Sequence, residues 1–222
     1  MLNTELNQTQ KAKPDMEEAK MYLSNSLLDR LTKTNAYAYY IVYAILISCF
    51  AYLGLSHVSW YGFVIALLAG MTVWTLVEYL IHRFLFHWKS TNPAIKLITF
   101  MFHGVHHAYP RDVPRSITPL IFTLPTAAIF YLVFKLIFGA YGEAIITGFA
   151  SGYVLYSIIH DSTHHFGMNF PVLKQLKKHH MRHHYFDIEQ NFGVSTVLWD
   201  IIFRTYDNQQ SAKNMPSFVE GK

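Results

Sequence analysis

Cysteine and charge are what this 222-residue sequence has least of. The one cysteine, Cys49, lies in an apolar run, so a disulfide framework and a cysteine-based metal site are both excluded, and it reads as a small core or lipid-facing residue. Charged residues make up 14% of the chain, against roughly 25% in an average soluble domain. With 52% hydrophobic residues, that shortage points to a membrane protein whose polar residues are gathered into a few segments. The first 35 residues hold no short apolar core with a cleavage site, so no signal peptide is expected. There is no repeat of fixed period. No stacking platform accompanies the lysines and arginines, so nucleic-acid binding is not expected.

The apolar residues fall into four runs of spanning length. From about 36 to 56 there is no charge, and from 59 to 81 only Glu78. A short uncharged link makes these two a hairpin, with the isolated His57 at the interface. A second pair follows, about 117–138 and 143–160, joined at Gly139-Ala140-Tyr141-Gly142, with Pro119 and Pro125 expected to bend its first member. Residues 1–35 read as a cytosolic N-terminal tail in which about Asp15 to Arg30 forms an interfacial helix or a solvated linker. Residues 36–222 form the membrane domain, with a polar cap from 82–116 and 161–210. Within that cap, Lys96 to Phe102 is too short to span and suits an interfacial helix leading into His103.

Lysine and arginine confirm the bookkeeping of sides. The tail 1–35, the loop 82–116 and the tail 161–222 hold five, five and seven of the 18, and Lys135 is the remainder. Four spans put those three segments on one face, and the positive-inside rule makes it the cytoplasmic one, with both termini. The expected fold is therefore an all-α integral membrane protein, four transmembrane helices in two hairpins under a cytosolic helical cap.

What the sequence has in excess is histidine. Twelve of its 13 histidines fall between residues 82 and 184. His103/His106/His107 and His180/His183/His184 both read H-x-x-H-H, a spacing that puts three imidazoles on one helical face where they could hold one metal. His160 and His164 are an i,i+4 pair where the fourth run ends. His82 and His87 are five apart, which one helical turn cannot align, so a break or widened turn is expected there. Neutral imidazole suits iron, zinc, copper and nickel, and about ten of them fit two ions.

These clusters, with Glu78-Tyr79-Leu80-Ile81-His82-Arg83, Pro110-Arg111-Asp112, Leu176-Lys177-Lys178 and Phe192-Gly193-Val194-Ser195 before Trp199-Asp200, resemble the membrane fatty acid hydroxylase and sterol desaturase superfamily. Within it they are most similar to fatty acid 2-hydroxylases acting on sphingolipid acyl chains, over about Gly70 to Tyr206. The resemblance implies a di-iron centre that uses O2 to hydroxylate acyl C2, in a free acid or a ceramide. Zinc would be tolerated in isolated protein. Carried over by position, the implied ligands and catalytic residues are His82, His87, His103, His106, His107, His160, His164, His180, His183 and His184. His165 and His179 are doubled neighbours expected in a supporting role, and Arg204 stands where the family commonly has glycine. No haem-binding His-Pro-Gly-Gly occurs, so electrons are expected from a separate cytochrome b5 or ferredoxin-type protein with its reductase.

Among other residues, Glu78 lies one turn before His82 and is expected to hydrogen-bond a ligand imidazole. Asp161 and Asp187 are further candidates for that supporting role, Asp112 and Arg115 for an ion pair, and Lys174, Lys177 and Lys178 for a basic face toward anionic lipid or the electron donor. The site would lie in a bacterial inner membrane or the endoplasmic reticulum. The rival readings are a sterol desaturase or oxidase or a carotenoid hydroxylase on the same scaffold, and a non-catalytic membrane metal-binding protein.

Overall fold

The structure is a computed structural model that describes residues 16–207. Expectations for residues 1–15 and 208–222 lie outside the described residues. Every regular element among the described residues is helical.

The N-terminal segment forms two short helices, α1 (Met16–Leu23) and α2 (Ser26–Leu31), where one interfacial helix or a linker was expected. Asn25 breaks the run, its extended backbone and side chain capping α2 by accepting from Leu27 N and Leu28 N. The pair is not a solvated linker. Ala19 is buried against Phe100, Met101 and Val105, and the rings of Tyr22 and Phe100 lie 4.8 Å apart. Arg115 ties α2 to the cap through ion pairs with both Asp29 and Asp112.

Two long apolar helices follow, α3 (Ala36–His57), capped by Asn35, and α4 (Trp60–Leu80), capped by Ser59. The cap begins with α5 (Pro93–Thr99), started by Asn92 and a proline in its first turn, and α6 (Val105–Ala108). Next come α7 (Leu120–Phe138) and α8 (Gly142–His165), then α9 (Pro171–Tyr185) and the short α10 (Leu198–Ile202). Pro119 does not bend α7 but precedes it as the N-cap residue, which is why the helix starts at 120 and not 117; Pro125 lies inside. At the other end α8 runs without a break to His165, past the expected limit at 160.

Helix α8 is the axis on which α3, α4 and α7 pack. The core between them joins Phe63, Ala66 and Trp74 to Phe134, Ile145 and Phe149. Two glycines let α4 and α8 approach until backbones touch: a Cβ at Gly148 would run into the carbonyl of Leu67, and one at Gly70 into that of Ile145. The outward faces are apolar and bare, with Leu136 87% and Ile65 69% exposed. Water would penalise such a surface; lipid would not. Three stretches are long and apolar enough to cross a membrane, 36–57, 60–86 and 113–165, the last of them folded back at Gly139–Tyr141 into α7 and α8.

Candidate metal centre

The polar ends of these helices converge on the histidines, and two departures from α geometry aim them. Helix α4 continues into a π-helical turn, Ile81–Phe86, and α5 into another, Phe100–Gly104. A π turn takes in one extra residue, so positions i and i+5 come onto one side. His82 and His87 accordingly face the same point, with ring centroids 5.0 Å apart.

Ten imidazoles collect into two groups of five. His82, His87, His103, His107 and His183 form the first; His106, His160, His164, His180 and His184 form the second. Within each group the nitrogens lie within 4.8 Å of one another. Neither H-x-x-H-H triplet serves one centre, as its shared face suggested. The i,i+4 pairs 103/107 and 180/184 stay together, while His106 and His183 cross to the opposite group. The reason is angular: at 100° per residue, i and i+4 diverge by about 40°, whereas i+3 and i+4 diverge by about 100°.

The donor set fits bound metal. In the first group His183 Nε2 lies 3.0 Å from His87 Nε2 and 3.2 Å from His107 Nε2, and His103 and His107 face each other at 2.9 Å. In the second, His164 Nε2 is 3.0 Å from both His106 Nε2 and His180 Nε2. The other nitrogen of three rings is already committed: His82 Nδ1 donates to Phe192 O (2.5 Å), His160 Nδ1 to Ser116 O (3.0 Å) and His183 Nδ1 to Gln190 O (2.8 Å). Each of those rings therefore turns a lone pair inward, and the buried Nε2 atoms of His82 and His160 have no hydrogen-bond partner. Converging lone pairs repel unless a cation sits among them, and zinc-like bonds of about 2.0–2.1 Å would set neighbouring ligand nitrogens about 3 Å apart. Burial, then the neighbouring imidazoles, holds His103, His106, His107, His180 and His184 far below the usual imidazole range, and burial with His87 does the same for His183. They stay neutral, the form that binds metal.

The supporting residues divide. Glu78 makes no hydrogen bond to an imidazole among the described residues: its carboxylate accepts from Val194 N (2.6 Å), Ser195 N (2.9 Å) and Ser195 Oγ (2.5 Å) of the loop 190–195. Asp161 accepts from Ser116 Oγ (2.5 Å), next to the carbonyl that orients His160. His165 lies outside both groups, bonded to the carbonyls of Asp161 and Arg111. So does His179, whose Nε2 is 3.0 Å from Asp200 Oδ2 and whose ring stacks on Tyr206. Asp187 accepts from Glu189 N in the turn after α9. Sequence reasoning passed over Asp200 as a site residue. It is fully buried and also accepts from Phe192 N, Gly193 N and Thr205 Oγ1. A charge beside Trp199 in an otherwise apolar stretch was the available signal.

Below His82 a mostly apolar cavity of about 150 Å³ runs between α4, α7 and α8, walled by Leu85, Phe122, Phe130 and Phe149, with Glu78 and Tyr156 near its histidine end.

This is an all-helical membrane protein with two clustered histidine sites at the ends of its apolar helices. The sequence profile of the fatty acid hydroxylase family matches residues 67–205, and the chain belongs to that family. It is 41% identical over 141 residues to human fatty acid 2-hydroxylase, covering 61% of this chain and 38% of that one. It is 35% identical over 190 residues to the Schizosaccharomyces pombe ceramide very long chain fatty acid hydroxylase, covering 82% and 54%. The chain thus spans about two fifths to one half of these relatives. The solved hydroxylase domain of scs7p superposes with a TM-score of 0.77 at 30% identity, over 83% of this chain and 71% of that one.

Proposed function

We propose that the protein is a membrane oxygenase that hydroxylates C2 of fatty acyl chains, free or in ceramide, at a di-iron centre held by the ten clustered histidines. The observation that carries this reading is an apolar cavity within the helices that reaches the first five-imidazole group at His82, with the second group beside the first. The names of the relatives, fatty acid 2-hydroxylase and ceramide very long chain fatty acid hydroxylase, supply the acyl substrate and the position.

In this reading α3, α4, α7 and α8 each cross the bilayer, and the cationic segments keep both termini and all ten histidines cytoplasmic. One atom of O2 enters the C2–H bond and the other leaves as water, so two electrons and two protons complete the balance; the electrons come from a separate cytochrome b5 or ferredoxin-type protein. Iron bound by the histidines would supply the O2 activation and C–H cleavage, chemistry that belongs to the metal. The chain supplies position. Leu85, Phe122, Phe130 and Phe149 hold the acyl chain in an apolar slot that excludes water, and the slot presents the methylene next to the carbonyl at His82 and Tyr156. The carbonyls of Phe192, Ser116 and Gln190 keep the ligating nitrogens unprotonated.

The test is expression in a host without this activity, followed by lipid hydrolysis and mass spectrometry. New 2-hydroxy acids are expected with the wild type, and none with His106→Ala or His183→Ala. Iron-loaded wild-type protein that yields no 2-hydroxy acid overturns the reading, and altered sterols or carotenoids would replace it.

A further inference from the structure

The two imidazole groups are oriented by different parts of the chain. In the first group, the two rings whose outer nitrogen is fixed by a backbone carbonyl, His82 and His183, are both fixed by one loop, through Phe192 O and Gln190 O. In the second, the corresponding carbonyl is Ser116 O, on His160, from a different segment.

Loop 190–195 has no regular secondary structure, so something must hold its carbonyls in place. Two buried carboxylates and the backbone of Thr205 do. Asp200 Oδ1 accepts from Phe192 N (2.9 Å) and Thr205 Oγ1 (2.7 Å), and Oδ2 from Gly193 N (2.7 Å), with His179 Nε2 at 3.0 Å. Glu78 grips the next two residues, Val194 and Ser195, from α4, the helix that runs on into the π turn carrying His82. Thr205 Oγ1 closes the arrangement against Tyr79 OH at 2.9 Å. The four backbone N–H groups from Phe192 to Ser195 all point at these two carboxylates. A peptide plane joins the N–H of one residue to the carbonyl of the residue before it, so anchoring Gly193 N fixes Phe192 O. Gln190 O shares its plane with Asn191 N, which donates to Thr205 O (2.8 Å), and Thr205 is itself held by Asp200 through its Oγ1.

We infer that Asp200, seconded by Glu78, is a positioning residue for the first group alone: it sets the loop carbonyls that orient His82 and His183, and so governs metal binding at His82/His87/His103/His107/His183 while leaving the second group to Ser116 and Asp161. This rests on the proposed metal-binding role of the histidines. Loss of an outer hydrogen-bond partner of a ligand lowers metal affinity about 10- to 100-fold. Here that loss falls on one of two sites.

The experiment is an anaerobic titration of metal-free, detergent-purified full chain with Fe(II), reading iron per chain and the affinity of each class of site. Wild type takes up two irons. Asp200→Asn, which replaces an oxygen acceptor by a donor facing a backbone N–H, should weaken one class about 10- to 100-fold and leave the other within about threefold. At limiting iron it holds one. Adding His107→Ala to Asp200→Asn should cost nothing more, whereas adding His164→Ala should remove the remaining iron. Asp161→Asn should weaken the other class instead. Equal weakening of both classes, or two irons held at wild-type affinity, in protein of wild-type helical content overturns the inference. If Asp200→Asn does not fold, Thr205→Val and Glu78→Gln, each removing one member of the clamp, are scored by the same criteria. A wild type that binds no iron overturns the metal reading itself, which separates the two failures.

Discussion

Two groups of five histidines, alike in composition, are built in opposite ways. The pairs of the second group, His160/His164 and His180/His184, sit on uninterrupted α-helices, where i,i+4 spacing aligns them without help. The pairs of the first lie in or beside π turns, at Ile81–Phe86 and Phe100–Gly104. Such turns are rare and gather at functional positions. The first group is also the one held by the loop 190–195. Where helix geometry alone aims the ligands the chain adds little; where it bends the helix to aim them, it adds a clamp.

Four substitutions and one insertion break or sharpen that contrast. The largest effect is expected at the crossing histidines, His183→Ala for the first group and His106→Ala for the second. Each should cut 2-hydroxy acid production by more than about 100-fold, beyond the loss of any outer partner, measured as product per unit of folded protein. Equal loss in both shows that neither group works alone.

Inserting one alanine after Leu85 rotates His87 by about 100° relative to His82 and takes it off their shared side. Iron should fall from two per chain to one with overall helix content kept, by elemental analysis and circular dichroism. Retention of two irons would mean that the widened turn is incidental.

Gly148→Leu tests the frame common to both groups. Its side chain must displace the Leu67 backbone, and such overpacking costs about 1–3 kcal/mol. The thermal unfolding midpoint in detergent should drop, with iron lost from both groups together and not from one. The smallest effect is expected at Arg204, whose φ of 59° is the left-handed conformation that favours glycine. Arg204→Gly should raise stability by about 0.5–1 kcal/mol and leave iron content unchanged, as read by thermal unfolding.

The sequence disclosed the helices readily, because charge-free runs of about 20 residues and an uneven placement of lysine and arginine depend on nothing beyond neighbouring residues. The widened turn was legible at His82 and His87, since five-residue spacing fits no α face; the second π turn was not, because nothing around Phe100–Gly104 strains an ordinary helical reading. The sorting of His106 and His183 into opposite groups was hidden for a related reason. Three residues on a shared face look alike until a second helix shows which side of that face each one serves. The partners of Glu78 and Asp200 were hidden in a further way. Glu78 meets a loop more than 110 residues away, and Asp200 is understood only once His82 is seen bonded to Phe192. Arg204 was marked by comparison with the family's glycine, and its backbone angle now supplies the physical meaning.

At the far end of the bundle, Lys135 on α7 reaches Glu143 on α8 at 2.6 Å, and Tyr131 OH joins the same carboxylate. These are the charged residues nearest the turn that folds α7 back onto α8. In the proposed four-span arrangement that turn has to travel through the apolar interior before it emerges on the other side. A lone ammonium or a lone carboxylate would make the passage costly, but the pair travels as a neutral unit. The hairpin therefore carries its own counter-ion across, and what stands at the turn as a minor salt bridge is, at the moment of insertion, the lowering of a barrier.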